Sequence, residues 1–480
     1  MHPINMDSPS TTVESNYRSF DLKACGSART PDASSYTSDV KSDVSDEKPV
    51  VGSNDFQAVF NTVMIAVGIA LLALGKTTAS VGYLPALLFL IFCGFVGYLM
   101  IYLLYRCREM AFELGADAIT SYEDIGSFTF GRIGHIIVAI ALHVSLIGSS
   151  CVLILLLGQN SYHIYSGISV TWWIIIWMFI LLPVNWLKTM REIGYISSTI
   201  GVVSIITTII GLCVAGFVEF GQNHDNVDYE LAVPDPLTLI GAYTTFSFCF
   251  SVTCGTTTVT HDMKNPAHSP VVFLWACVVL FAVYLVVTVP SYLGWGQALL
   301  CYDNVSDAMN KDVWGYISFV SIVVLCATHY AVVLHPSCRA IEVLFGLEEG
   351  SARAEKWGYW PTLFATSGLR SILVVVTAIV AITVPKFSFL VDLNSAITYC
   401  LLQMIFPPVF YMRLRYMAHK EFGDGEVMDR CGGAFGTWKS RVQTIVLICL
   451  MTLSVVASGI TIYKTVTPAA VPEMCSLIEQ

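Results

Sequence analysis

The chain has 480 residues, of which 55% are hydrophobic and 12% charged, and its mean hydropathy is +0.67. That balance, with long apolar runs recurring along the whole length, excludes an ordinary soluble domain and points to a polytopic membrane protein. The formal net charge of −10 says little about partners, because orientation in a bilayer follows the placement of Lys and Arg.

Residues 1–55 stand apart: rich in Ser and Thr, poor in large apolar residues, and without a stretch that could serve as a signal-peptide core. They read as a disordered cytosolic tail, in which Tyr17-Arg18-Ser19-Phe20 fits a short tyrosine-type sorting signal. Eleven apolar segments of about 20 residues follow, the length a bilayer core asks of a helix. They lie near 57–79, 83–105, 134–158, 171–187, 194–218, 238–260, 270–294, 313–337, 367–385, 387–411 and 441–463. With the tail inside, only Lys76, Lys311, Lys386 and Lys464 of the 25 Lys and Arg fall outside, and the loop 219–237 carries five acids with no Lys or Arg. The asymmetry predicts a cytosolic N-terminus and an external C-terminus. A transporter core over 56–411 is then followed by a cytosolic loop, 412–440, the last span, and an external tail, 464–480. Trp172, Trp173, Trp295 and Trp314 mark the outer ends; Trp186, Trp357, Trp360 and Trp438 mark the inner ones. Asn304-Val305-Ser306, the one N-x-S/T sequon, falls in an expected outside loop, which makes Asn304 a glycosylation candidate.

Two segments are poor continuous helices. In the first, Gly68 and Gly75 bracket an apolar stretch that turns polar at Lys76, Thr77, Thr78 and Ser80. In the sixth, Phe246 to Thr260 collects Ser, Thr and Cys around Gly255, residues that offer the backbone other hydrogen bonds or restrict χ1. Pairing spans 1–5 with 6–10 gives start-to-start offsets of 181, 187, 179, 196 and 193 residues. Interrupted segments at matching places in two halves predict an inverted-repeat transporter with its site between them. Non-helical backbone at membrane depth survives only where it lines a cavity or is buried in protein. The alternative for the sixth span is a Ser/Thr-rich helix packed closely on its neighbours.

Three stretches resemble one family. Ser121-Tyr122-Glu123-Asp124-Ile125-Gly126, followed by Phe130-Gly131-Arg132-Ile133-Gly134, resembles the segment before the third span of the amino acid/auxin permease family. Met263-Lys264-Asn265-Pro266 is similar to the end of that family's sixth span, and Pro336 with Ile341-Glu342-Val343-Leu344 to the end of its eighth. The similarity runs from about Gln57 to Tyr463 and looks nearest to the vacuolar and vesicular branch. It implies an all-α polytopic membrane protein of 11 transmembrane helices, a leucine-transporter-like 5+5 repeat plus one further C-terminal helix. It also implies amino-acid transport coupled to protons or sodium. The first span keeps Gly68 of the family's glycine-rich pattern but has Ala70, Gly75 and Lys76 where a second Gly, a Pro and a Tyr are usual. In the sixth, Ser251-Val252-Thr253 replaces Gly-Gly-His and Thr257-Thr258 replaces Pro-Glu. Scaffold is carried over; substrate identity is not.

Half-helix N-termini present amides suited to a carboxylate, while unwound carbonyls suit an ammonium or Na⁺. The expected binding residues are Gly68, Ala70 and Leu71 in the first span, and Ser247, Phe248 and Ser251 in the sixth. Coupling candidates are His143 and His329, whose imidazoles titrate near neutral pH when unperturbed, together with Asp392 and Lys76. Asp392 reads equally as a capping or hydrogen-bonded residue, and Lys76 as a snorkelling one. Most of the 15 cysteines lie in spans; only Cys301 and Cys475 fall outside, either bridged or free. No catalytic constellation is evident, so an enzyme is not expected.

The expected function is secondary active transport of small neutral amino acids, with H⁺ as coupling ion and Na⁺ as the alternative. The rival is a non-transporting amino-acid sensor that signals through its cytosolic surface. No cofactor, metal or nucleic acid is expected. The expected partners are the amino acid and the lipid bilayer, the working unit is a monomer, and the site is a vacuolar, lysosomal or vesicular membrane, with the plasma membrane as the other choice.

Overall fold

In a computed structural model, the described residues are 53–186, 190–223, 225, 227–233, 235–348, 350–423, 437–467 and 475, with backbone alone for 190–199. The tail expected over 1–55, with its Tyr17 motif, lies outside them apart from residues 53–55. Those three belong to the folded body: Asn54 caps α1 (Asp55–Ala66) by accepting from the Gln57 amide at 2.8 Å. α1 and α2 (Ile69–Val81) meet at a 57° bend and together form the first span. α3 (Tyr83–Glu113), α4 (Tyr122–Ile164), α5 (Val170–Asn185) and α6 (Met190–Asn223) complete the first half. α7 (Pro236–Cys249) and α8 (Thr253–Asp262) share the sixth span, and α9 (Ser269–Trp295) and α10 (Val313–Phe345) follow. α11 (Ala352–Trp357) is a short connector to α12 (Tyr359–Thr383). α13 (Phe387–Thr398) passes through a π-helical turn, Tyr399–Ile405, into α14 (Phe406–Phe422), and α15 (Trp438–Val466) closes the described chain.

Each expected segment overlaps a helix or an interrupted run of helices: 57–79 runs over α1 and α2, 238–260 over α7 and α8, and 387–411 from α13 through the π-helical turn into α14. Among the described residues nine helices are long and apolar enough to cross a membrane, and the bent α1–α2 pair makes ten. The other expected span, α5, has 16 residues and falls short of the usual crossing length. Apolar side chains such as Ile133 and Phe364 cover the outside at 70% and 72% exposure, whereas Thr244, Ser247, Thr253 and Ser291 are buried between helices. Lipid favours that arrangement, since a hydroxyl facing hydrocarbon can bond only back to its own helix.

Local chemistry explains the quoted motifs. Ser121 caps α4 in a capping box with Asp124, which also accepts from the Thr120 and Ser121 amides at 3.0 and 2.9 Å. Gly131 then takes φ 65° and ψ −153°, a conformation open essentially to glycine, and kinks α4 where the third span begins. At the kink a Cβ on Gly134 would lie 2.2 Å from the Gly126 carbonyl oxygen, so the two turns touch only because both residues are glycine. In the third motif Glu342 is buried against Arg370 of α12 at 2.6 Å, and Arg370 also donates to the Asn185 carbonyl at 2.9 Å. One charged pair thereby ties α5, α10 and α12.

Candidate functional site

The two interruptions come together. In the first span the break is at Val67–Gly68, and a Cβ on Gly68 would lie 3.7 Å from the His329 ring of α10. In the sixth it covers 250–252, where Phe250, Ser251 and Val252 amides donate to the Ser247, Phe248 and Phe250 carbonyls at 3.1, 2.9 and 3.0 Å. These tight turns replace the i→i−4 ladder. Each break has an amide-bearing start, α2 or α8, and a carbonyl-bearing end, α1 or α7. Tyr284 of α9 joins the two ends: its hydroxyl lies 2.7 Å from the Cys249 carbonyl oxygen and 3.3 Å from that of Ala66. Phe250 packs its ring edge-on against Tyr284, centroids 5.3 Å apart, and against the bare backbone of Gly94 and Gly97 in α3. Ser53 pairs with Asp262 and Lys264 at the other end of the same two spans, at 2.8 and 3.0 Å.

The expected binding residues divide by what they offer. Gly68 is at the first break; Ala70 and Leu71 are buried in the first turn of α2, where they can offer backbone and apolar surface. Ser251 is half-buried inside the second break. Ser247 spends its hydroxyl on Cys93 Sγ at 3.1 Å, and Phe248 packs at the edge of the apolar core. His329 is buried beside Gly68 and hydrogen-bonds the backbone at Ile65. His143 is elsewhere: its Nδ1 meets Ser337 Oγ at 3.2 Å, and Ser337 is eight residues, about 12 Å, further along α10 than His329.

Lys76 and Asp392 share a second place, a cavity of about 200 Å³ between α2, α7, α13 and α15. Lys76 reaches Asp303 at 4.0 Å, and Asp303 also receives the Ser388 hydroxyl at 2.7 Å and the first amides of α13. Asp392 accepts from Thr245 at 3.3 Å. At the rim Lys464 of α15 pairs with Asp235, the N-cap of α7, at 3.3 Å. The Thr238 hydroxyl first, then Lys464, hold the Asp235 carboxyl below the usual carboxylate range. The contact is therefore kept in a mildly acid medium and lost only as pH falls through that lowered value.

Asn304, the expected glycosylation candidate, is a buried cap. It is 1% exposed, its Nδ2 donates to Asp307 at 3.0 Å, and its Oδ1 accepts from the Ser306 amide at 2.8 Å. In the folded protein it caps the turn that follows, with its side-chain amide buried. Cys301 and Cys475 are bridged, so the tail cysteine is tied to the loop after α9.

Sequence reading missed Tyr284 and the π-helical turn. Pro407 and Pro408 carried a signal for the turn: neither has an N–H, so the carbonyls of Gln403 and Met404 lose their α-helical donors. The Leu402 carbonyl is taken instead by Tyr122 OH at 2.6 Å and Thr253 Oγ1 at 3.3 Å.

Comparison with known proteins gives the family and the fold. A relative named amino acid transporter AVT1E, from Arabidopsis thaliana, is 27% identical over 374 residues, covering 75% of this chain and 66% of its own. Amino acid transporter AVT1B of the same plant is 24% identical, and this chain spans 64% of it, so both relatives are longer. The human vesicular inhibitory amino acid transporter is 22% identical, covering 79% of this chain and 73% of its own. The crystal structure of MhsT in complex with L-phenylalanine aligns with a TM-score of 0.50 at 11% identity, over 85% of this chain and 98% of that one, which identifies the leucine-transporter fold. The family model described as transmembrane amino acid transporter protein matches residues 52–466. The chain belongs to the transmembrane amino acid transporter family.

Proposed function

We propose that the protein is a secondary active transporter of small neutral amino acids, working by alternating access around the two breaks and driven by protons. The observation that carries this is the Tyr284 hydroxyl, shared by the carbonyl ends of both interrupted helices. It sets two amide-bearing helix starts and two carbonyl-bearing ends around one point. The amino acid's carboxylate takes the amides of α2 and α8; its ammonium takes the carbonyls. Gly68, Ala70, Leu71 and Ser251 serve mainly through backbone, and Phe248 and Ser247 complete the α7 side. The names of the relatives, all amino acid transporters, support the solute class.

His329 is the coupling residue of choice, because its imidazole, which titrates near neutral pH when unperturbed, is placed against a break. A proton there changes the charge next to Gly68 and so the match to the bound solute. Lys76 and Asp392 act at the outer cavity on the path to the site, and His143 is a secondary candidate. The protein works as a monomer in a vacuolar or vesicular membrane, with the N-terminus cytosolic.

Gly68→Leu tests the site. The new side chain grows into the His329 ring and the break, so uptake is expected to vanish while the purified variant keeps its helical content and elution volume. Normal uptake by the variant would contradict the placement.

A further inference from the structure

The π-helical turn holds a side chain that the transport reading does not use. Gln403 is 1% exposed, and neither its Oε1 nor its Nε2 has a hydrogen-bond partner among the described residues. It lies where α3 packs closely on the second break. A Cβ on Gly97 would lie 2.9 Å from Phe250 Cβ, 3.3 Å from the Phe250 carbonyl oxygen and 3.4 Å from Gln403 Nε2. The Gln403 amide nitrogen and the carbonyl of the second break therefore both pack against the bare backbone of Gly97, which brings the side chain next to that break.

A buried amide with donors and acceptor both unpaired is costly, and an apolar residue of equal size would cost less in the same place. Such groups in folded proteins call for a specific explanation. A partner that arrives with the solute is one, and the neighbouring break is where a solute is expected.

We infer that Gln403 is a solute-binding residue that reads an uncharged polar group, amide or hydroxyl, on the side chain of the amino acid held at the breaks. This rests on the function proposed above and narrows it. An amide offers two donors and an acceptor with no net charge, so glutamine, asparagine, serine and threonine can satisfy it. Leucine or methionine would leave it unpaired, and a charged side chain would be desolvated without a full counter-charge. A site built to hydrogen-bond a polar group discriminates strongly against analogues that lack it.

The test uses the purified full-length protein and reads ligand-induced rise in unfolding temperature, which needs binding and no flux. Glutamine and methionine, similar in size, are titrated separately. The wild type is expected to respond to glutamine at about tenfold lower concentration or less. In Gln403→Met the ratio should fall towards one, while the ligand-free unfolding temperature stays equal or rises, since no orphan amide is buried. A purely structural glutamine would give the reverse, a lowered unfolding temperature with the ratio kept. Should Gln403→Met not fold, Gln403→Leu is read in the same way. An unchanged ratio in either variant, or a wild type that favours methionine, overturns the inference. Selective binding without any uptake would instead undo the transport reading and leave Gln403 in place.

Discussion

A phenolic hydroxyl has one proton to give, and Tyr284 holds it between two carbonyls that belong to different halves of the molecule. Removing it leaves both ends short of a donor in a setting with little water to replace it, at about 1–3 kcal/mol for an unmet group. Tyr284→Phe is accordingly expected to lose most uptake while its unfolding temperature drops only modestly, measured on one purified batch. Equal and small effects on both would reduce Tyr284 to a packing residue. Tyr284 was not legible in the sequence because a tyrosine inside an apolar span looks like core until its partners are known, and these lie 35 and 218 residues away. Glu342 was legible as part of a motif, yet its partner Arg370 was not, since an ion pair across 28 residues leaves no local pattern.

At the level of elements, glycine was ambiguous. Gly68 marked a real break, but Gly255 did not: it lies inside α8, where a Cβ would come 2.9 Å from Ile65 Cδ1, and the interruption falls earlier, at 250–252. The same absence of a side chain serves a bend in one helix and close packing in the next, and composition alone does not separate them. Gly131 is the sharper case, for its positive φ is a demand on the backbone and not on space: a Cβ there meets nothing within 4 Å. Gly131→Ala should cost about 1–3 kcal/mol through backbone strain alone. The loss is read as a lower unfolding temperature with the solute preference unchanged. No loss would mean that the kink can relax.

Across the whole molecule, the halved pattern of apolar segments carried the fold, because the length that lipid demands of a helix writes itself along the chain. The site was only half written there. The breaks could be located through weak helix formers, but what holds them together comes from α9, α10 and the π-helical turn, whose contribution exists only after folding. One end is braced by the Cys301–Cys475 bridge and by Lys464 on Asp235, and the other end of spans one and six by Ser53 against Asp262 and Lys264. Between these ties lie the two breaks, the hinge of the alternating access proposed above. Uptake of a labelled amino-acid panel into proteoliposomes, with and without an imposed pH gradient, bears most directly on that role. Gradient-dependent accumulation of small neutral amino acids, lost in His329→Gln, is the expected result. Ligand binding with no accumulation under either condition would contradict it and leave the protein a sensor.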